Sequence, residues 1–317
     1  MRNGKVLFLG VVLFVFFLSV PFARKVLQPS EDKVVEAGHL KTAVAIDDMI
    51  GTTQNTSAVN VLKFFDLTDG LELSWAHAVN SQLKLKEALS GKSMMLEADI
   101  LLCPEDGTPI MAHPPNTDSD LSLTRFLEKT VGSSKGLKLD FKETAAIEPS
   151  LKILTNQITE QHGVTIPIWL NADILHGPCH TDCNDPVDPK VFLSLCAKYF
   201  PSVTLSVGWT TGNHISKENG GYDWHLIWPM KELLSNLTQP ITFPIRANLI
   251  GNSIEQLIWL LGLSDEYTLT IWSGNFDTPN MKDLATLRNR VSDKTRIFYD
   301  LPLDQETKFK EELQHYR

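Results

Sequence analysis

The sequence predicts a single (β/α)8 barrel of the α/β class, preceded by a hydrophobic helix. Three observations lead there. Short apolar runs recur at near-regular spacing, and helix-like patterns fill most of the gaps between them. About 265 residues remain for the folded body once an apolar N-terminal stretch and a polar one are set aside, close to the ~250 of such a barrel. The eight runs are Leu71–His77, Met94–Ile100, Pro109–His113, Gly136–Phe141, Ile166–Asn171, Val203–Gly208, Ile241–Ala247 and Tyr267–Trp272. The helical patterns are Ser81–Leu89, Leu121–Lys129, Pro149–Gln161, Pro189–Tyr199, Met230–Leu237, Ser253–Leu261 and Thr278–Val291. Pro149 and Pro189 stand in first turns, where a missing N–H has no intrahelical partner to lose. Strand–helix alternation repeated in this way implies parallel strands joined by crossover helices. An open doubly wound sheet is the alternative, but the Gly-rich turn of a dinucleotide fold is missing after Leu71–His77.

Residues 1–25 read as a signal-anchor or a signal peptide, 26–60 as a polar stalk, and 61–317 as the barrel. Val6–Phe22 carries no charge. Its length sits at the lower limit for spanning a bilayer and exceeds the usual ~7–15-residue core of a cleaved signal. Cleavage after Ala23 would place Pro21 in a poor small-residue site. The chain is therefore expected as a single-pass membrane protein with a lumenal or extracellular barrel, or as a secreted one. Sequons at Asn55 and Asn236 agree with that route. Cys103, Cys179, Cys183 and Cys196 permit two disulfides there. The loop His176-Gly-Pro-Cys179-His180-Thr-Asp-Cys183 admits zinc as an alternative, although its spacing fits no standard finger.

A content of 43% hydrophobic and 21% charged residues excludes a disordered chain. With 29 Lys and Arg against 38 Asp and Glu, the formal charge of −9 argues against a nucleic-acid partner and against general adhesion to anionic lipid.

In a parallel barrel the chemistry gathers at the C-terminal ends of the strands. Those ends read Trp75-Ala-His77-Ala-Val-Asn80, then Glu97-Ala-Asp99, Met111-Ala-His113 and Lys138-Leu-Asp140-Phe-Lys142. Glu97 and Asp99 are two apart on a strand and share a face, as do Lys138, Asp140 and Lys142. Each residue alone has a plain structural explanation. Two like charges inside an apolar strand do not, because burying them is costly without a cation. Three hard oxygen ligands suit Mg²⁺, with Ca²⁺ as the alternative. Two histidines beside them suit acid–base work near neutral pH, and a lysine stabilises phosphoryl charge. At later strand ends Asn171, Trp209, Arg246 and Trp272 are candidates for holding a head group, the tryptophans by cation–π contact and Arg246 by phosphate pairing.

The order His-x-Val-Asn, Glu-x-Asp, His, Asp-x-Lys resembles the phospholipase-C-like phosphodiesterase superfamily, in which sphingomyelinase D and the glycerophosphodiester phosphodiesterases are the closest site matches. The stretches SWAHAVNS, MLEADILL, PIMAHPP, GLKLDFK, IPIWLNADIL, LSVGWTT and FPIRANL are similar to the menorin family in particular, over about residues 60–300. The resemblance implies a barrel with His77 and His113 as the catalytic pair. It implies Glu97, Asp99 and Asp140 as Mg²⁺ ligands, and Lys142 on phosphate. Asn80 joins the substrate-binding candidates as part of the first motif. The His-Arg-Gly and Pro-Glu-Asn-Thr segments of the glycerophosphodiesterases are missing, and the third ligand is Asp, the sphingomyelinase D choice. Two functions follow as expectations. One is a metal-dependent phosphodiesterase or phospholipase-D-like hydrolase, acting on a phosphodiester lipid or a glycerophosphodiester. The other is a menorin-type cell-surface module in neuronal patterning or tissue maintenance, binding protein partners with weak or lost turnover.

Overall fold

The computed structural model describes residues 60–160, 166–179, 185–212 and 220–315. The apolar N-terminal run, the stalk and the sequon at Asn55 lie outside these residues. Among those described, no helix is long and apolar enough to cross a membrane.

The strands are β1 Trp75–Ala76, β2 Met95–Leu102, β3 Pro109–Met111, β4 Gly136–Phe141, β5 Ile168–Leu175, β6 Thr204–Trp209, β7 Ile241–Arg246, β8 Tyr267–Trp272 and β9 Ile297–Asp300. Eight of them form a parallel, barrel-like sheet in the order β1-β2-β4-β5-β6-β7-β8-β9. The helices are α1 Val61–Phe65, α2 Gln82–Ser90, α3 Leu123–Thr130, α4 Ile147–Glu160, α5 Pro189–Tyr199, α6 Trp224–Leu234, α7 Ile254–Leu261, α8 Met281–Arg290 and α9 Leu303–His315. Side-chain oxygens of Ser81, Ser122, Asp188, Asp223 and Asn280 accept from the first-turn amides of α2, α3, α5, α6 and α8. Each such cap contributes ~1 kcal/mol and stops the preceding loop at a defined residue.

The expected eight strands are present, but two assignments change. Pro109–Met111 pairs antiparallel with the end of β2 and is the return arm of a hairpin, not a barrel strand. The connection from Cys103 to Thr108 is too short for the dozen or more residues a parallel crossover needs. Gly107, at φ +72°, takes the left-handed turn position that closes it. The eighth barrel strand is β9, followed by α9, and neither stood out in the sequence. Only four residues long, β9 follows the charged Lys294–Arg296 turn.

The main core lies between the sheet and the helices. A smaller cluster of Val61, Leu62, Leu73, Met95, Trp169 and Phe298 seals the end where the strands begin. The Trp169 ring meets Trp75 at 5.5 Å and Phe298 at 5.3 Å, so β1, β5 and β9 converge there. A turn at Gly70–Glu72 packs on β9, and a Cβ at Gly70 would lie 2.2 Å from the Ile297 carbonyl oxygen. With that end plugged, the cavity opens at the C-terminal strand ends.

Cys103 and Cys196 are free thiols, so at most one of the two expected disulfides exists; Cys179 is disulfide-bonded. A thiol in a disulfide is not a zinc ligand, which removes the zinc reading of its loop.

Candidate metal centre and acid–base site

Register sets the site. Across β2, β4, β5 and β6 the pairs Asp99↔Asp140, Asp140↔Asn171 and Asn171↔Ser206 align four inward-facing polar residues in one row. The row below holds Glu97↔Lys138 and Lys138↔Trp169. Period-two alternation therefore stacks Glu97 under Asp99 and Lys138 under Asp140. The upper row is joined by hydrogen bonds: Asn171 Nδ2 donates to Asp140 Oδ1 (2.6 Å), and Ser206 Oγ donates to Asn171 Oδ1 (2.5 Å).

Glu97, Asp99 and Asp140 are buried, and one ligand atom from each lies within 4.8 Å of the others. Lys142 Nζ lies 2.6 Å from Asp140 Oδ2 and 3.0 Å from Asp99 Oδ1, bridging two of the three. Asn80 donates from Nδ2 to Asp99 Oδ2 (2.7 Å) and accepts from the Asp99 amide (3.0 Å). Both of these bonds orient a carboxylate, and Asn80 is not among the residues that line the cavity. Ala78, at φ +53°, turns its N–H onto Glu97 Oε2 at 2.7 Å. A non-glycine residue in that region is uncommon, and here the conformation serves to hold a ligand carboxylate.

The two histidines differ. His77 Nδ1 donates to Asp300 Oδ2 at 2.9 Å and stands 3.4 Å from Glu97 Oε2. Glu97 and then Asp300 hold its pKa up to about 10 against the opposing effect of burial. That direction favours an imidazolium on a side chain that is half exposed, with Nδ1 committed and Nε2 left for the cavity. His113 is exposed, and its Nδ1 is 2.6 Å from the Pro114 carbonyl. A carbonyl only accepts, so this bond places the neutral ring's proton on Nδ1 and its lone pair on Nε2.

The carboxylates divide as well. Burial pushes Glu97 up to about 7, with His77 opposing. Burial and neighbouring Asp140 do the same to Asp173, also to about 7. Burial would raise Asp99 too, but Lys142, His113 and Asn80 hold it below the usual range. His77 does likewise for Asp300. Burial disfavours the Lys142 charge, yet Asp140 and Asp99 lift its pKa well above the ordinary value.

Five carboxylates, Glu97, Asp99, Asp140, Asp173 and Asp300, gather here with three cations, His77, Lys138 and Lys142. Asp185 also lines the cavity, so the carboxylates outnumber these cations. A divalent ion would offset part of that excess, and the three oxygen donors suit a hard one.

The cavity, about 500 Å³, is lined by His77, Glu97, Asp99, His113, Asp140 and Lys142, and also by Arg246 and Trp272. Asn171 reaches it. Arg246 is tied to Asp277 through Nε (2.9 Å) and Nη2 (2.7 Å), donates to the Gly212 carbonyl (2.8 Å), and lies 5.4 Å over the Trp272 ring. Trp209 does not reach the cavity. Its indole is 2% exposed, donates to the Leu226 carbonyl and packs on Tyr222 and Phe243.

Asp300 and Asp277 escaped the sequence reading. Asp300 ends the unrecognised strand in Ile-Phe-Tyr-Asp, an apolar run closing on a carboxylate, as β4 does. Asp277 sits in a loop and carried no such signal.

A buried carboxylate triad at the mouth of a barrel-like parallel sheet, flanked by two imidazoles, defines the class: an α/β barrel with a candidate metal and acid–base centre. Residues 69–306 match the menorin N-terminal domain, and the chain belongs to the menorin family. It is 43% identical over 262 residues to Protein FAM151B of Homo sapiens, covering 80% of this chain and 92% of that protein. Solved structures to which the chain is similar include a glycerophosphoryl diester phosphodiesterase from Parabacteroides distasonis, at 12% identity and a TM-score of 0.46, covering 81% of this chain and 93% of that one. Another is dihydropteroate synthase from Anaplasma phagocytophilum, at 10% identity and 0.39, covering 77% and 98%.

Proposed function

We propose that the protein is a metal-dependent phosphodiesterase of phospholipase D type, acting in the secretory route or at the cell surface on a phosphodiester lipid or a glycerophosphodiester. The observation that carries the reading is the pairing of two unlike imidazoles beside a buried carboxylate triad. Glu97, Asp99 and Asp140 would hold Mg²⁺ or Ca²⁺, which when bound supplies Lewis-acid stabilisation of phosphoryl charge. His113 Nε2 takes the proton of the nucleophile, either water or a substrate hydroxyl, as the new P–O bond forms. His77 Nε2–H gives its proton to the leaving alkoxide as the other P–O bond breaks. Asp300 keeps His77 oriented and charged. Lys142 adds charge stabilisation near the reacting centre. Arg246 and Trp272 also line the cavity.

The second reading, a surface binding module, draws on Lys142, which already neutralises part of the triad. Turnover of phosphodiesters with and without Mg²⁺, beside His77→Ala, separates the two. Turnover that needs both the ion and His77 supports the enzyme. No turnover with any glycerophospho-, lysophospho- or sphingolipid diester leaves the binding module. The uncharged Val6–Phe22 run supports membrane attachment through the N-terminus.

A further inference from the structure

The cavity holds three basic side chains besides its histidines, and they are not equivalent. Lys142 spends two of its three donors on Asp99 and Asp140. Arg246 is held by Asp277 and the Gly212 carbonyl, with its charge matched by the Asp277 carboxylate. Lys138 differs. It is 4% exposed and lines the cavity, and among the described residues no carboxylate forms an ion pair with it. Lys138 is thus a buried ammonium among the residues that line the cavity.

Register places it beside Glu97, whose Oε2 stands 3.4 Å from Nδ1 of His77, the residue after β1. Its charge is felt by His77, Glu97, Asp173 and Asp300, so it sits amid the cluster, with no ion-pair partner among the described residues. A buried ammonium with three unused donors is costly unless a ligand or water satisfies it. The cavity in front of it is large enough for a phosphoryl group with a substituent on each side.

We propose that Lys138 is the resident anion receptor of this cavity, donating to a non-bridging oxygen of a phosphoryl group bound between it and the histidine pair. The inference rests on the phosphodiester reading of the site and deepens it. Lys142 is thereby left mainly to the carboxylates, and the phosphate contact expected of it is shared with Lys138 or passed to it.

The test uses the full-length chain in detergent micelles, with inorganic phosphate and Mg²⁺ as probes, titrated calorimetrically. Lys138→Met should weaken phosphate binding ~10-fold or more, the loss of one charge-assisted hydrogen bond, while Mg²⁺ alone binds no more weakly than to the wild type. Lys138→Arg should recover part of the phosphate affinity. If Lys138 is only an internal counter-ion, Lys138→Met tightens Mg²⁺ binding and leaves phosphate affinity unchanged, which overturns the proposal but not the phosphodiester site. A wild type that binds neither Mg²⁺ nor phosphate overturns both. Should Lys138→Met not fold, acylation of wild-type lysines read by mass spectrometry decides the matter. Phosphate should protect Lys138, and unprotected Lys138 under saturating phosphate overturns the assignment.

Discussion

The roles proposed for His77 and His113 differ because of two oxygen atoms, one on Asp300 and one on the backbone of Pro114. His77→Ala and His113→Ala should each lower phosphodiester turnover by ~10²–10⁴-fold with the fold intact, since an acid–base pair contributes about that much. Steady-state kinetics beside circular dichroism checks this. Asp300→Asn removes the charge but not the shape. The descending limb of the pH–rate profile, set by loss of the His77 proton near a pKa of about 10, should then move to lower pH. An unmoved limb would mean that Asp300 does not hold the imidazolium. Asn80→Ala should act through Asp99, weakening Mg²⁺ binding ahead of any change in substrate affinity, because both Asn80 bonds go to that residue.

At the level of elements, strand register and short connections decide which side chains meet. The β2–β3 hairpin carries His113 back over the triad, where a barrel strand in that place would have carried it one sheet position further on. The Gly70 turn packs on β9, and the His77–Asp300 bond links the residue after β1 to the end of β9. Gly70→Ala pushes a methyl into the Ile297 carbonyl, which only backbone movement relieves. It should cost ~1–3 kcal/mol in a urea titration. A variant as stable as wild type would show that the turn does not brace β9.

For the whole molecule the charge imbalance of the cavity sets the response to pH and to metal. Without an ion, Glu97 and Asp173 titrate near 7 when folded, above their ordinary values, so the folded state holds more protons in between. Stability should fall as pH rises from ~4.5 to ~7. His77, raised to about 10, contributes stability that is full below ~6.5 and fades as pH rises toward 10. Asp99 and Asp300, held low, contribute above ~4 and lose that contribution in stronger acid. Millimolar Mg²⁺ or Ca²⁺ should raise the melting temperature and reverse the decline between ~4.5 and ~7, because the carboxylates then ionise against a cation. Melting curves that ignore both divalent ion and chelator would remove the metal centre. The anchor belongs to this scale too. An uncleaved Val6–Phe22 should keep the chain in the membrane fraction after alkaline carbonate washing, with glycan at the exposed Asn236. Release into the medium with a new N-terminus near residue 24 would make it a secreted protein.

Much of this was legible in the chain. Glu97 and Asp99, like Lys138, Asp140 and Lys142, share a face because a strand alternates, and that local rule needs no tertiary information. Strand–helix alternation likewise pointed to parallel strands with their chemistry at one end. Distance and direction between segments were not legible. The hairpin role of Pro109–Met111 depends on pairing with β2, and the short β9 acquires its meaning only by closing against β1. Trp209 and Trp272 look alike as aromatic residues ending strands, yet packing buries one and leaves the other on the cavity. Asn80, Asp277 and Asp300 take their tasks from partners 19, 31 and 223 residues away. Local stereochemistry acts over a few residues and is written in their order. Which carboxylate meets which imidazole follows from how the whole sheet curls, and only the folded chain decides that.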